Sequence, residues 1–99
     1  MARVALHCRD LLFGSKVEGA LRAAGHEIAR NAEGADVVVV DLTDPDVPWP
    51  PAAEAPRLGF YSHVDQETRG RAEEAGFDLV VPRSRMNREA AALVEKLAS

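Results

Sequence analysis

Four consecutive valines, Val37 to Val40, place the strongest constraint on what this chain can fold into. Successive side chains of a strand point to opposite faces of its sheet, so a strand that is apolar at every position must be covered on both faces. This pattern is typical of the centre of a parallel sheet, and β-branched side chains favour its extended backbone. Asp41 follows the valines directly. We therefore expect Asp41 at the carboxyl end of a central strand, where open α/β sheets bind their ligands.

The rest of the chain alternates between strand-like and helix-like patterns on both sides of the valines. Four more strands are predicted, over Arg3–Cys8, His26–Arg30, Leu58–Ser62 and Phe77–Val81. The first helix is predicted to begin at a capping box of Ser15 and Glu18, to end at Gly25, and to face inward with Val17, Ala20, Leu21 and Ala24. The second helix is predicted from an Asp65 cap to Ala75, before Gly76, and the third from an Asn87 cap, with Ala90, Leu93, Val94 and Leu97 inward.

This alternation predicts a small three-layer α/β domain built on a five-stranded, mainly parallel sheet with right-handed crossovers. The strand order expected for such a sheet is 2-1-3-4-5, with one or two crossover helices missing. Only about five residues join the second strand to the third, a link too short to pass a full-length neighbouring strand. The second strand must therefore be very short or locally antiparallel, and we prefer the short strand. The 99 residues are predicted to form a single domain.

Composition narrows the class of partner. The formal net charge of −4 argues against nucleic acid or a membrane surface as the main partner. No apolar stretch approaches the roughly 18 residues of a membrane span, and no secretory leader precedes the first strand, so a cytoplasmic location is expected. Cys8 is the single cysteine, which excludes an internal disulfide and a cysteine-based zinc cluster. His26 and His63 are expected at the surface.

Two segments have the composition of recognition surfaces. Five of the six prolines lie in Thr43–Pro56, which predicts a loop of polyproline character around Trp49. The predicted loop before the first helix contains Leu11, Leu12 and Phe13, and is more apolar than a solvated loop usually is. Both segments follow strand ends on the same edge of the sheet. We therefore predict that Trp49 packs against Phe13 or Leu12 and that these residues form a surface for a protein partner or a second copy.

Three segments resemble the receiver domain of two-component response regulators, which has a flavodoxin-like fold. They are the valine strand with Asp41 and Leu42, then Gly59–Ser62, then Ala75–Pro82, and together with the strands between them the resemblance covers most of the chain. In that family the aspartate that ends the third strand accepts phosphate, and Asp41 matches it. A Ser or Thr ends the fourth strand, matched here by Ser62.

The chain also departs from the receiver pattern. The family has a lysine before the proline that follows its fifth strand, whereas Val81 precedes Pro82 here. The acidic pair that binds magnesium at the end of the first strand is replaced by His7, Cys8 and Arg9, with Asp10 just beyond. The second helix of the family has no counterpart, and the proline-rich loop replaces the third. The resemblance therefore implies a degenerate bacterial pseudo-receiver.

The implied function is a non-enzymatic signalling or protein-interaction module without normal phosphotransfer. A crevice at the strand ends is expected to contain Asp10, Ser15, Asp41, Thr43, Ser62 and Arg83. No cofactor is expected to be required. If Mg²⁺ binds, Asp10 and Asp41 are the candidate ligands, and Arg83 is the candidate replacement for the family's lysine.

Other functions stay open at this point. Asp41 accepts phosphate if the remaining groups suffice for transfer. An anion or a small ligand binds at the crevice if the backbone donors of Gly14, Ser15 and Lys16 are free, although helix capping is the simpler role for them. Cys8 resembles the nucleophile of cysteine phosphatases, because it precedes a helix. Gly14, however, occupies the place of the phosphate-binding arginine, and a small buried strand residue is the simpler role for Cys8.

Overall fold

A five-stranded parallel sheet forms the middle layer of the molecule. The computed structural model describes residues 2–29, 31, 33–50, 55–62 and 65–98. Their elements, in chain order, are β1 (Arg3–His7), α1 (Leu11–Ala23), β2 (Glu27–Ala29), β3 (Val37–Asp41), β4 (Arg57–Tyr61), α2 (Gln66–Glu74), β5 (Leu79–Pro82) and α3 (Arg83–Ala98). All strand pairs are parallel and the order is β2-β1-β3-β4-β5, which confirms the predicted small flavodoxin-like α/β fold.

The second strand is short, as the length of its link to β3 predicted. β2 has three residues and pairs in parallel with the first half of β1. The turn before β3 is tied to β1 by Asp36, whose carboxylate accepts the Arg3 N–H at 2.8 Å while its own N–H donates to the Arg3 carbonyl at 2.7 Å. Gly34 in this turn has a φ of 74°, which favours glycine. A three-residue strand leaves enough chain for the link to reach the far side of β1.

Both faces of the sheet are buried. One face packs against α1 and α3, where Val39, Leu58 and Phe60 are among the buried residues. The other face packs against α2 and the segment after β3, around Val38 and Val40. Val38 is 3% exposed and Val39 is 0% exposed, which confirms that the valine strand is covered on both sides.

The proline-rich segment takes the place of a crossover helix. In the described part of the chain, helices lie neither between β2 and β3 nor between β3 and β4, so two crossover helices are missing. Leu42 and Val47, which follow β3, are 5% and 6% exposed and join the core on the α2 face. Their side chains cover sheet that a helix covers in a complete three-layer fold. None of the helices described is both long and apolar enough to cross a membrane.

The first helix starts four residues earlier than its predicted Ser15 cap. Asp10 is the N-cap, and its carboxylate accepts the N–H of Phe13 at 3.0 Å. Leu11, Leu12 and Phe13 are therefore the first turn of α1 and not a loop. The predicted burial of Ala20 and Ala24 is also wrong: both are exposed, and only Val17 and Leu21 of α1 are fully buried.

The last helix has an unpredicted first part, which begins at Arg83 directly after Pro82 and is separated from the rest of α3 by a kink. Its backbone departs from helical geometry at Glu89, with φ −125° and ψ 20°, two residues beyond the predicted Asn87 cap. The predicted inward residues Ala90, Leu93 and Val94 are buried. The early start places the Arg83 side chain at the carboxyl end of the sheet.

His26 is buried, so the prediction of a surface histidine is wrong. It is 6% exposed, its Nδ1 accepts the N–H of Ala2 at 3.0 Å, and its Nε2 lies 3.0 Å from Glu95 Oε2. These contacts connect the end of α1 with the start of β1 and with α3. His63 lies outside the described residues.

Candidate functional site

A crevice opens at the carboxyl ends of β1 and β3. Its volume is about 370 Å³, and its lining residues are Arg9, Asp10, Asp41, Thr43, Asp44, Pro45 and Arg83. Four of the residues predicted for this crevice therefore lie together: Asp10, Asp41, Thr43 and Arg83. They come from distant parts of the chain and meet because parallel strands end at the same edge of the sheet.

Asp41 forms the buried floor of the crevice. It is the last residue of β3 and is 4% exposed. Its Oδ1 accepts the N–H of Thr43 at 3.1 Å, a local contact that shapes the turn after the strand. Its Oδ2 lies 4.0 Å from the Cys8 Sγ, a weak thiol donor. Oδ1 thus has a backbone donor, while Oδ2 has a longer contact with a thiol that also lies 3.7 Å from the Asp10 carbonyl oxygen.

Asp10 and Arg83 form an ion pair across the crevice. The Arg83 Nη2 lies 2.6 Å from Asp10 Oδ2, while Asp10 Oδ1 caps α1 through Phe13 N–H. This hydrogen bond from Phe13, reinforced by the charge of Arg83, holds the pKa of Asp10 below its ordinary value.

Aromatic rings hold the guanidinium of Arg83 in place. Its central carbon lies 4.4 Å from the centroid of the Phe13 ring and 5.9 Å from that of Phe60. The two rings are 5.0 Å apart. The guanidinium of Arg83, which lines the crevice with Asp41, is therefore both stacked on Phe13 and paired with Asp10.

A second ion pair, which the sequence did not predict, lies at the same crevice, which Arg9 and Asp44 also line. The Arg9 Nη1 lies 2.7 Å from Asp46 Oδ2 and 3.8 Å from Asp44 Oδ1, and these two carboxylates raise the pKa of Arg9 above its ordinary value. The predictable part was the excess of aspartate after β3. Which arginine neutralises it depends on the path of the proline-rich loop.

The two serines predicted for the crevice have different positions. The N–H of Ser62, just after β4, donates to Thr43 Oγ1 at 3.0 Å, so Ser62 borders the site through its backbone. Ser15 lies in α1 and lines a separate cavity of about 360 Å³ between α1 and β2. Its assignment to the Asp41 crevice is therefore wrong, because the helix begins before Ser15 and carries it away.

Trp49 lies on the opposite face of the sheet from Phe13. Its ring packs edge-on against Phe77, with centroids 5.4 Å apart, within the core on the α2 face. Phe13 belongs to the core on the α1 and α3 face. The predicted contact of Trp49 with Phe13 or Leu12 is wrong, because the loop after β3 folds toward α2 and not across the strand ends.

The described side chains do not match the ligand set that Mg²⁺ requires. One oxygen of Asp10 caps a helix and the other is paired with Arg83, while Asp41 accepts from Thr43 and faces the Cys8 thiol. Within the described residues, no three His, Cys, Asp or Glu side chains are grouped for a metal. If Asp10 bound Mg²⁺ together with Asp41, its Oδ2 would have to give up the ion pair with Arg83.

Cys8 is packed as a thiol. It is half-buried, and its Sγ lies 3.7 Å from the Asp10 carbonyl oxygen. Burial raises the pKa of the Cys8 thiol above its ordinary value, and the nearby Asp41 carboxylate raises it further. A nucleophilic cysteine needs the reverse shift, because the thiolate is the reactive form.

No protein-family model matches this sequence, and no curated protein matches it either. The flavodoxin-like fold supports many unrelated functions. The side chains at the strand ends and on α1 are therefore the features that bear on function.

Proposed function

We propose that this chain is a non-enzymatic, receiver-like signalling module that binds a protein partner through the first turn of α1. The observation that carries the proposal is the exposure of two adjacent leucines: Leu11 is 84% exposed and Leu12 is 82% exposed. Both lie in a turn held by the Asp10 cap, and Phe13 beside them is anchored in the core. Large apolar side chains on a rigid element lose little conformational entropy on binding.

The crevice supports the non-enzymatic part of the proposal. Phosphoryl transfer requires Mg²⁺ bound by carboxylates and a cation that neutralises the charge developing on the transferred group. Here Arg83 is paired with Asp10, and Asp41 has donors from Thr43 and Cys8. Changing these contacts to bind a phosphoryl group costs the ion pair that joins the N-cap of α1 to the start of α3. The proposal also includes the cytoplasmic location expected from composition, and no cofactor, nucleic acid or membrane partner.

The first test measures phosphorylation. The protein is incubated with acetyl phosphate and Mg²⁺, and its intact mass is compared with that of the Asp41→Asn variant. We expect no phosphate adduct on either protein, because the lysine position is Val81 and Arg83 is engaged. A stoichiometric adduct that is lost in Asp41→Asn contradicts the proposal.

The second test measures partner binding at the leucines. A photo-crosslinking phenylalanine analogue replaces Leu12 in one variant and Ala92, an exposed residue of α3, in a matched control. In the cells that make the protein, we expect a discrete crosslinked species from position 12 and none from position 92. Identical patterns from the two positions, or no product from position 12, would contradict an interaction surface on α1.

One observation favours a second candidate function, a phosphate-accepting receiver that uses Asp41. Asp10, Asp41 and Arg83 line one crevice, so the chain has an acceptor, a second carboxylate and a cation in the same place. In this alternative Arg83 leaves Asp10 and takes the role of the family's lysine. The acetyl phosphate experiment decides between the two functions, since only the alternative gives an adduct that both Asp41→Asn and Arg83→Ala abolish.

A further inference from the structure

We infer that the partner bound by α1 is a second copy of the same chain, in an antiparallel pair of α1 helices related by a two-fold axis. The inference depends on the proposed function, because it names the occupant of the same surface. It goes beyond the proposed function by specifying which residues meet, in which direction the helices run, and how strong the association is.

The solvent face of α1 carries a stripe of four residues along its whole length. Leu12, Lys16, Gly19 and Ala23 are spaced four, three and four residues apart, so they lie in one line on a helix, and all four are exposed. The two side chains near the N-terminus of α1 are large, and the two residues near its C-terminus are small. A Cβ placed at Gly19 would meet no atom within 4 Å. The stripe therefore combines a ridge with a shallow groove.

The spacing of this stripe is the same in both directions. In an antiparallel pair, Leu12 of each copy therefore faces Ala23 of the other, and Lys16 of each copy faces Gly19. Each large side chain meets a small residue, as close packing of two helices requires. A parallel pair would instead place leucine against leucine and lysine against lysine.

Charge favours the same direction. Long side chains on a helix lean toward its N-terminus, so the Lys16 stem would cross Gly19 of the other copy. In an antiparallel pair this lean carries the ammonium group toward the C-terminal end of the other α1, whose dipole attracts a cation. Arg22 lies in the same last turn, where its charge is paired with Glu18 at 3.1 Å. In a parallel pair the same lean would carry it toward the N-terminal end, where the dipole repels it.

The size of the surface sets the strength of the pair. α1 has 13 residues, which corresponds to a length of about 20 Å. Contact between two helices of this length buries less surface than the roughly 1,200 Å² at the lower end of standard stable interfaces. Interfaces below that size are typical of weak and transient complexes. We therefore expect an equilibrium between monomer and dimer that shifts with protein concentration.

Sedimentation velocity tests the association. We expect the average sedimentation coefficient of the chain to rise with concentration, and that of Leu12→Glu to stay at the monomer value. An acidic residue in the first turn of a helix is favourable, so this variant should fold, and circular dichroism checks that it does. Ala92→Glu is the matched control and should behave like the unchanged chain. A monomer at every concentration, or equal loss of association in both variants, overturns the inference.

Disulfide trapping tests the geometry. In a Cys8→Ser background, the double variant Leu12→Cys, Ala23→Cys should form covalent dimers on mild oxidation, because each new cysteine faces its counterpart. Leu12→Cys alone should not, because the two copies of residue 12 lie about 16 Å apart, far beyond disulfide reach. Equal trapping of the single and double variants contradicts the antiparallel pair.

If position 12 crosslinks a different protein while the chain stays monomeric, the second copy is wrong but the proposed function stands; without any crosslink both are wrong.

Discussion

Asp10 connects the crevice with the α1 surface. One of its oxygens caps the first turn of α1, and the other is paired with Arg83 at the start of α3. The direction in which Leu11 and Leu12 project is therefore coupled to the contents of the crevice. A ligand that drew Arg83 away from Asp10 would weaken the support of that turn.

Cys8 gives a prediction at this scale. Because burial and the Asp41 carboxylate both raise its pKa, we expect iodoacetamide to alkylate Cys8 more slowly at pH 8 than the exposed cysteine of a Cys8→Ser, Ala92→Cys variant. The raised pKa of Cys8 also predicts the direction in which stability changes with pH. The neutral thiol makes its full contribution to the free energy of unfolding at pH values below the pKa that Cys8 has in the unfolded chain. This contribution is lost as the pH rises through the higher pKa that Cys8 has in the folded protein. Alkylation of Cys8 as fast as that of the control would contradict its packing.

At the scale of elements, the segment after β3 replaces a helix only because β4 has a glycine beneath it. A Cβ on Gly59 would lie 2.5 Å from Leu42 Cδ1, so Leu42 packs flat on the sheet only if residue 59 has no side chain. Leu42 in turn covers the α2 face together with Val47. The close approach of Leu42 to Gly59 therefore allows the loop after β3 to cover the sheet where a crossover helix would otherwise lie.

We predict that Gly59→Ala lowers the free energy of unfolding by about 1–3 kcal/mol, because the added methyl overpacks this contact. Urea denaturation measures the change in the free energy of unfolding. In the double variant Gly59→Ala, Leu42→Ala, the shortened side chain at position 42 leaves room for the new methyl. The double variant should therefore lose less stability than the sum of the losses in the two single variants. Gly70→Ala is the control. Its Cβ would meet nothing within 4 Å, and it lies inside α2, so it should stabilise by about 0.5–1 kcal/mol. Strict additivity of the first pair would show that the two sites do not interact.

At the scale of the whole molecule, Arg57 joins parts that periodic patterns do not connect. It is 5% exposed, and its guanidinium donates to the carbonyl of Pro50 at 2.9 Å and to that of Ala75 at 2.6 Å. The same group lies 4.4 Å from the Phe77 centroid, and Trp49 packs on the edge of that ring. The proline-rich loop, the end of α2 and the start of β4 are thus held at one point.

We predict that Arg57→Ala destabilises the fold by about 2–4 kcal/mol, since two part-buried carbonyls lose a charged donor and the buried Arg57 side chain is removed. Arg57→Lys should recover only part of this, because an ammonium group does not reproduce the planar fork. Arg71→Ala is the matched control: Arg71 is exposed and lies over Trp49 at 5.4 Å, so its loss should cost about 0.5 kcal/mol or less. Equal denaturation midpoints for Arg57→Ala and Arg71→Ala would contradict this role.

Local patterns were sufficient for the parts of the fold that depend on neighbouring residues. The burial of the valine strand follows from side-chain period, and the shortness of β2 follows from the length of its link to β3. Gly25 and Gly76 end their helices with φ of 91° and 87°, a preference that only the residue type and its position require. These features were predictable because each is decided within a few residues of the chain.

Contacts between distant segments decided the rest. Asp10 and Arg83 are 73 positions apart, and His26 contacts Glu95 69 positions away. Periodicity carries no information about such pairs, so the ion pair between Asp10 and Arg83 was not predicted, His26 was expected at the surface and Trp49 was expected beside Phe13. Two caps compete to start α1, and the pairing of Asp10 with Arg83 favours the earlier one. The first turn of α1, and with it the exposed leucines, exists because the packed sheet brings α1 and α3 together at that edge.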